Sequence, residues 1–234
     1  MGISIHYSGR IANRQKLPQL IEEVKEIATV HNWKFHVYES MFPAISVLEP
    51  KKVDFTSDNF HNGKLYGIDF TPKGSEPVAL CFLNNERMSS IMQMACWGHF
   101  EKESVIVSET LKWDENGIYN SCSEELKMDQ NEYNRYLCMC STKTQFAGPQ
   151  SHELIIGVLR YISTTYLSDF TLSDESQFWE TGDTFLLKKN FERNGFLINS
   201  FGAGLKTENR LPGEDIESFI KRIANGFRKN EGEG

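Results

Sequence analysis

The chain has 234 residues, 39% apolar and 24% charged, which suffices for a packed core and argues against global disorder. Its 25 Lys and Arg stand against 32 Asp and Glu, a formal charge of −7. That balance argues against a general binder of nucleic acid or of anionic membranes, and it excludes no enzyme class.

Ile3, Ile5 and Tyr7 alternate with Ser4, His6 and Ser8, the pattern of a half-buried strand. The N-terminus therefore reads directly as a strand and carries no apolar signal region. Pro18 suits a first helical turn. Leu17, Leu20, Ile21, Val24, Ile27 and Ala28 follow at helical spacing, and Asn32 is a helix stop. Phe35 and Val37 predict a second strand, completing a strand–helix–strand unit. Leu65–Phe70 and Pro77–Phe82 read as strands joined by a turn at Pro72–Gly74. Asn84-Asn85 marks another turn. Ser90–Cys96 and Ser104–Trp113 read as further strands, the latter ended by Asp114–Gly117. The polar stretch Ser121–Asn134 is the best candidate for a domain boundary.

A second strand–helix–strand unit follows. Tyr136–Cys140 reads as a strand, Leu154, Ile155, Val158, Leu159 and Ile162 as a helix face, and Phe170–Leu172 as a strand. Aligned on the first unit, Ser141 matches Ser8 and Lys143 matches Arg10, which suggests a diverged duplication. Asp183 reads as the N-cap of a short helix carrying Phe185–Leu187 and Phe191. Gly195 then stops it, and Phe196–Phe201 reads as a strand. Pro212 opens a last helix with Ile216, Phe219, Ile220 and Ile223 inward. The expected architecture is α+β, a mostly antiparallel sheet with helices on one face. The expected units are 1–120 and 133–228, with 229–234 as a frayed tail.

No stretch comes near the roughly 18 consecutive apolar residues of a membrane span. Cys81, Cys96, Cys122, Cys138 and Cys140 form no CxxC pair, and no Asn-x-Ser/Thr sequon occurs. These features point to free thiols in a cytoplasmic setting. The stretch TQFAGPQSHELIIGVLRYISTTYLSDF, followed by SDESQFWETGD, resembles segments of an uncharacterised bacterial protein family. It covers residues 144–183. The resemblance implies a bacterial, cytoplasmic protein and brings no activity and no catalytic residue.

No nucleotide or hydrolase motif is present. Gly202-Ala203-Gly204 lacks a third glycine, and no P-loop or nucleophile elbow occurs. His152-Glu153 opens like a zinc-protease motif, but Ile156 stands where the second histidine belongs. No cofactor is implied, and no metal site is assigned. Cys138 and Cys140, two apart and therefore expected on one side of a strand, could reach a metal with His6 or His36. Core thiols are the plainer expectation.

Two segments carry polar chemistry. In 174–183 four carboxylates surround Phe178-Trp179. They could supply acid–base groups, or form a loop in which Asp183 caps a helix and Trp179 plugs the core. The strand-end loops Ser8-Gly9-Arg10 and Ser141-Thr142-Lys143 each place a hydroxyl and a cation before a helix start, where anions are favoured. The first functional expectation is a protein that binds another protein or a small ligand and carries no catalytic motif. Trp97, Trp113 and Trp179 are candidates for a groove or an oligomer surface. The alternative is a hydrolase or transferase acting on an anionic small molecule. Arg10 and Lys143 would hold the anion, Ser8, Ser141 and Trp179 would line the site, and Glu175, Glu180 or His6 would move protons.

Overall fold

The computed structural model describes residues 2–43, 65–97, 105–113, 119–126, 135–207, 210–211 and 213–222. The chain is α+β with antiparallel strand pairing. Strand β1 (Ser4–Ile11) leads through a short 3-10 turn into helix α1 (Leu17–Val30) and strand β2 (Lys34–Val37). Strands β3 (Tyr66–Thr71), β4 (Val78–Phe82) and β5 (Met88–Ser89) continue the chain to helix α2 (Ile91–Trp97). Strands β6 (Val105–Trp113) and β7 (Tyr119–Leu126) pair with each other. Strand β8 (Cys140–Lys143), helix α3 (Gly148–Tyr166) and strand β9 (Leu167–Asp174) follow. Helices α4 (Phe178–Thr181) and α5 (Thr184–Thr207) come next, before a last helical segment at 216–222.

The order in the first sheet is β8-β1-β9, and in the second β2-β3-β4-β5. Strand β1 runs antiparallel to both of its neighbours, so β8–α3–β9 is a crossover that straddles β1. The first unit is wired differently, because β1 and β2 lie in different sheets. The expected units 1–120 and 133–228 also share a sheet and a core: one apolar cluster runs from Ile3, Ile5 and Tyr7 through α1, β3 and β4 to Ile155, Leu159 and Phe191.

Local chemistry explains the elements. Helix α1 buries Leu17, Leu20, Ile21, Val24 and Ala28, and each large side chain buried contributes about 1.5–3 kcal/mol. Asn32 closes it in the left-handed conformation (φ 53°). There Asn32 N–H donates to Thr29 O at 3.1 Å and Trp33 N–H to Ala28 O at 2.8 Å, a Schellman closure. Tyr7 crosses between the sheets. Its hydroxyl donates to Ala79 O at 3.1 Å and accepts from Ala79 N–H at 2.8 Å, completing β4 where the two-residue β5 no longer reaches. Gly67 is required on β3: its φ is 134°, and a Cβ there would run into the Leu80 carbonyl.

Three elements differ from expectation. Residues 91–97 form helix α2 instead of a strand, because Ser90 Oγ caps Gln93 N–H at 3.1 Å and Ser90 O opens the helical ladder to Met94. Gly195 does not stop α5, which runs on to Thr207 and takes Phe196–Phe201 into the helix; Gly195 has no positive φ to turn the chain. The edge strand β8 of the first sheet is Cys140–Lys143 instead of Tyr136–Cys140. Pairing with β1 fixes it there, Ser4 facing Lys143 and Tyr7 facing Cys140. Residues 121–126 of the expected boundary belong to β7. The rest of that boundary (127–134), the turn at 114–117, Pro212, Ile223 and the tail 229–234 lie outside the described residues.

Candidate functional site

The first sheet has one apolar and one polar face. Ile3, Ile5 and Tyr7 point into the core, so Ser4, His6 and Ser8 take the opposite side. Register brings like partners beside them. Ser141 and Ser173 flank His6, and Thr171 lies beside Ser8. The hydroxyls of Ser8 and Thr171 share a hydrogen bond of 2.9 Å.

A cleft of about 460 Å³ opens over this face, with His6, Ser8, Thr171 and Ser173 as its floor and Arg87 and Arg135 in its walls. Tyr7, Cys138, Met139 and Leu172 complete the lining. Glu175 stands just beyond the floor. Its Oε2 accepts from Ser4 N–H at 2.7 Å, and its Oε1 lies 3.9 Å from His6 Nε2. The His6 Nδ1 is shielded and has no hydrogen-bond partner among the described residues, an arrangement that is costly unless something fills it.

The cations are arranged unevenly. Arg10 and Arg87 face each other across an isolated antiparallel bridge, and like charges directly opposite repel. Asp169 compensates Arg10 alone, at 4.0 Å, and both residues are largely exposed. Among the described residues neither Arg87 nor Arg135 has an ion-pair partner.

These positions correct the expected anion site. Antiparallel pairing of β1 with β8 sets Lys143 beside Ser4, six residues from Arg10, a separation of about 20 Å at the rise of a strand. Arg10 and Lys143 therefore stand at opposite ends of the sheet and cannot converge. Lys143 instead lies over the Phe146 ring, 5.6 Å from its centroid. Ser8 and His6 do enter the cleft, and Ser141 flanks His6. Trp179 packs against the core beside Phe170 and under Arg160, away from the cleft. Glu180 is exposed on α4 and is not part of the lining. The side chains of Trp97 and Trp113 lie outside the described residues.

The thiols are not a pair. Cys138 precedes β8 and packs with Leu65, Cys81, Leu83 and Leu137, whereas Cys140 points into the main core. Burial pushes both thiols up; at Cys138, Arg87 and Arg10 act in the opposite direction. His36 is exposed, faces Asp69 and meets Tyr38 edge-on at 4.6 Å. No group of three or more metal-ligating side chains occurs among the described residues.

A second polar cluster, fully buried, resembles a catalytic triad in composition only. His152 Nδ1 meets Thr144 Oγ1 at 2.7 Å. Its Nε2 lies 3.1 Å from Asp174 Oδ2 and 2.9 Å from Ser176 Oγ. A triad orients one ring nitrogen with the acid and activates the hydroxyl with the other. Here Asp174 and Ser176 share one nitrogen, the hydroxyls of Thr144 and Ser176 are buried, and neither His152 nor Asp174 exposes any side-chain surface, so no substrate can reach the group. Asp174 Oδ2 also accepts from Phe178 N–H and Trp179 N–H, both at 3.0 Å, so the cluster anchors α4. Burial alone would raise the Asp174 carboxyl, but His152 and Ser176 outweigh it and hold the group below its ordinary value. Asp183 caps α5 as its sequence suggests, accepting from Phe185 N–H at 2.8 Å and Leu186 N–H at 3.1 Å.

Of the cleft's polar floor and walls, sequence reasoning missed Arg87, Arg135, Thr171 and Ser173. The last two were open to discovery, since they alternate with Phe170 and Leu172 on the strand. The two arginines carry no such signal. No helix among the described residues is long and apolar enough to cross a membrane. No family model, curated protein or solved structure matches the chain.

Proposed function

We propose that the protein binds a small anionic molecule in the cleft over the polar face of β8-β1-β9. The observation that carries this reading is Arg87 and Arg135, two guanidiniums without an ion-pair partner among the described residues, facing a floor of hydroxyls and His6. Each charge-assisted hydrogen bond contributes roughly 1.5–3 kcal/mol, and association costs several kcal/mol. A bare oxyanion should therefore bind with a dissociation constant on the order of 1 mM. A cytoplasmic location and the family resemblance of residues 144–183 fit this reading but do not carry it.

Thermal unfolding with phosphate, citrate and a nucleotide panel tests it. At 10 mM of an anion held at about 1 mM, the gain is about 1.4 kcal/mol, or about 4 °C for a chain of this size. The double change Arg87→Ala, Arg135→Ala should abolish the shift. Arg10→Ala with Lys143→Ala should leave most of it. A shift that survives loss of Arg87 and Arg135 refutes the assignment.

The second reading, a hydrolase or transferase on such an anion, rests on the 3.9 Å approach of His6 Nε2 to Glu175 Oε1. It ranks lower because the Ser8 hydroxyl bonds Thr171 and not His6, so that among the described residues of the cleft no hydroxyl nucleophile is paired with a base. Turnover of a phosphoester lost on His6→Ala would promote it.

A further inference from the structure

The cleft is polarised along β1. At one end stand Arg87 and Arg135 in the walls, while Arg10, across the backbone bridge from Arg87, lies outside the lining beside Asp169. Both Arg10 and Arg87 act on the Cys138 thiol, which itself lines the cleft. At the other end Glu175 meets His6 and the Ser4 backbone. Between them the floor is hydroxyl: Ser8, Thr171 and Ser173. A carboxylate is satisfied by one guanidinium fork. Two guanidiniums at one end, with hydroxyl donors beneath, suit a tetrahedral dianion with more acceptor positions. The opposite end offers an acceptor, Glu175, beside His6, which suits a ligand that donates hydrogen bonds. From the level of Ser8 to that of Glu175, which faces Ser4, is four residues, about 13 Å along the strand. Side chains reaching inward reduce that to the length of a short phosphorylated chain.

We infer that the cleft takes a phosphorylated polyhydroxy compound. Its phosphoryl group lies between Arg87 and Arg135, and its hydroxyls lie over Ser8, Thr171 and Ser173 toward His6 and Glu175. This inference rests on the proposal that the cleft binds an anion, and it adds the class and the orientation of the ligand.

Calorimetric titration of the full chain separates the two claims. The probes are ribose 5-phosphate, methyl phosphate, ribose and citrate, at low ionic strength. Ribose 5-phosphate should bind at least about tenfold more tightly than methyl phosphate, and ribose alone should not bind. Glu175→Gln keeps an acceptor for the Ser4 N–H and should reduce ribose 5-phosphate to the level of methyl phosphate, without altering methyl phosphate itself. Arg87→Ala with Arg135→Ala should remove both, with a circular-dichroism melt showing that the variant is folded. If methyl phosphate and ribose 5-phosphate bind equally and need the arginines, the polyhydroxy assignment is overturned and the anion site stands. If citrate binds more tightly than either, the phosphoryl assignment is overturned and the anion site again stands. If none of the three anions binds, or binding ignores the arginine changes, both claims fall.

Discussion

Replacing Asp174 with Asn removes a charge at the point where three segments are tied together. The Asp174 Oδ2 accepts from His152 Nε2 at 3.1 Å, Ser176 Oγ at 2.8 Å, and Phe178 and Trp179 N–H at 3.0 Å each. Its Oδ1 accepts from Ser176 N–H at 2.8 Å. An asparagine keeps one oxygen and turns an NH2 group against donors that the carboxylate accepts from here. Breaking one side of a buried, hydrogen-bonded charge costs about 3–5 kcal/mol. Taking the lower figure, since one acceptor survives, the melting temperature should fall by about 6–12 °C for a chain of this size. Acid should narrow the gap. The folded-state carboxyl is held below its ordinary value, so its contribution is present above the unfolded pKa of about 3.9. It is lost as pH falls through the folded value. Urea unfolding of both proteins between pH 7 and pH 3 measures this. A loss under about 1 kcal/mol at pH 7, or a gap that stays constant down to pH 3, would refute this account of the cluster.

Gly67→Ala should abolish soluble, folded protein or cost upward of about 3 kcal/mol, because φ is 134° and the Cβ would strike the Leu80 carbonyl; normal yield and circular dichroism would contradict that. Cys81, Cys138 and Cys140 are buried and free, so each should react slowly with a thiol reagent in the native protein and rapidly in guanidinium. One zinc per chain by elemental analysis, lost on Cys138→Ser, would overturn the reading of Cys138 and Cys140 as packing residues.

Much of the architecture is written in local pattern. The alternation at 3–8 names both faces of β1, and that alone places His6 and Ser8 opposite the core. The Asp183 cap, the Asn32 stop and the burial of α1 follow from nearest neighbours in the chain. Where competing local signals are close in strength, pattern alone does not decide the element. Residues 90–96 contain no strict alternation, and the Ser90 cap decided for a helix. Gly195 is a stop only if the helix needs to end there, and at Gly195 the backbone stays out of the left-handed region. Spacing also suggested one face for Cys138 and Cys140, but Cys138 lies outside the strand, so the rule of two had nothing to act on.

The sequence by itself determined what each segment buries, because hydrophobic periodicity is a property of neighbouring residues. It could not determine which strands pair, or in which direction. Only the tertiary structure showed β1 inserted between β8 and β9, residues more than a hundred positions apart. That antiparallel register separated Arg10 from Lys143 and put Arg87 across from Arg10 instead. Arg87 follows a turn and Arg135 a polar stretch. Neither spacing nor composition marks them, since charges at surface positions serve solubility anywhere on a chain. Their meaning comes from convergence on one cleft, and convergence is a property of the folded chain alone.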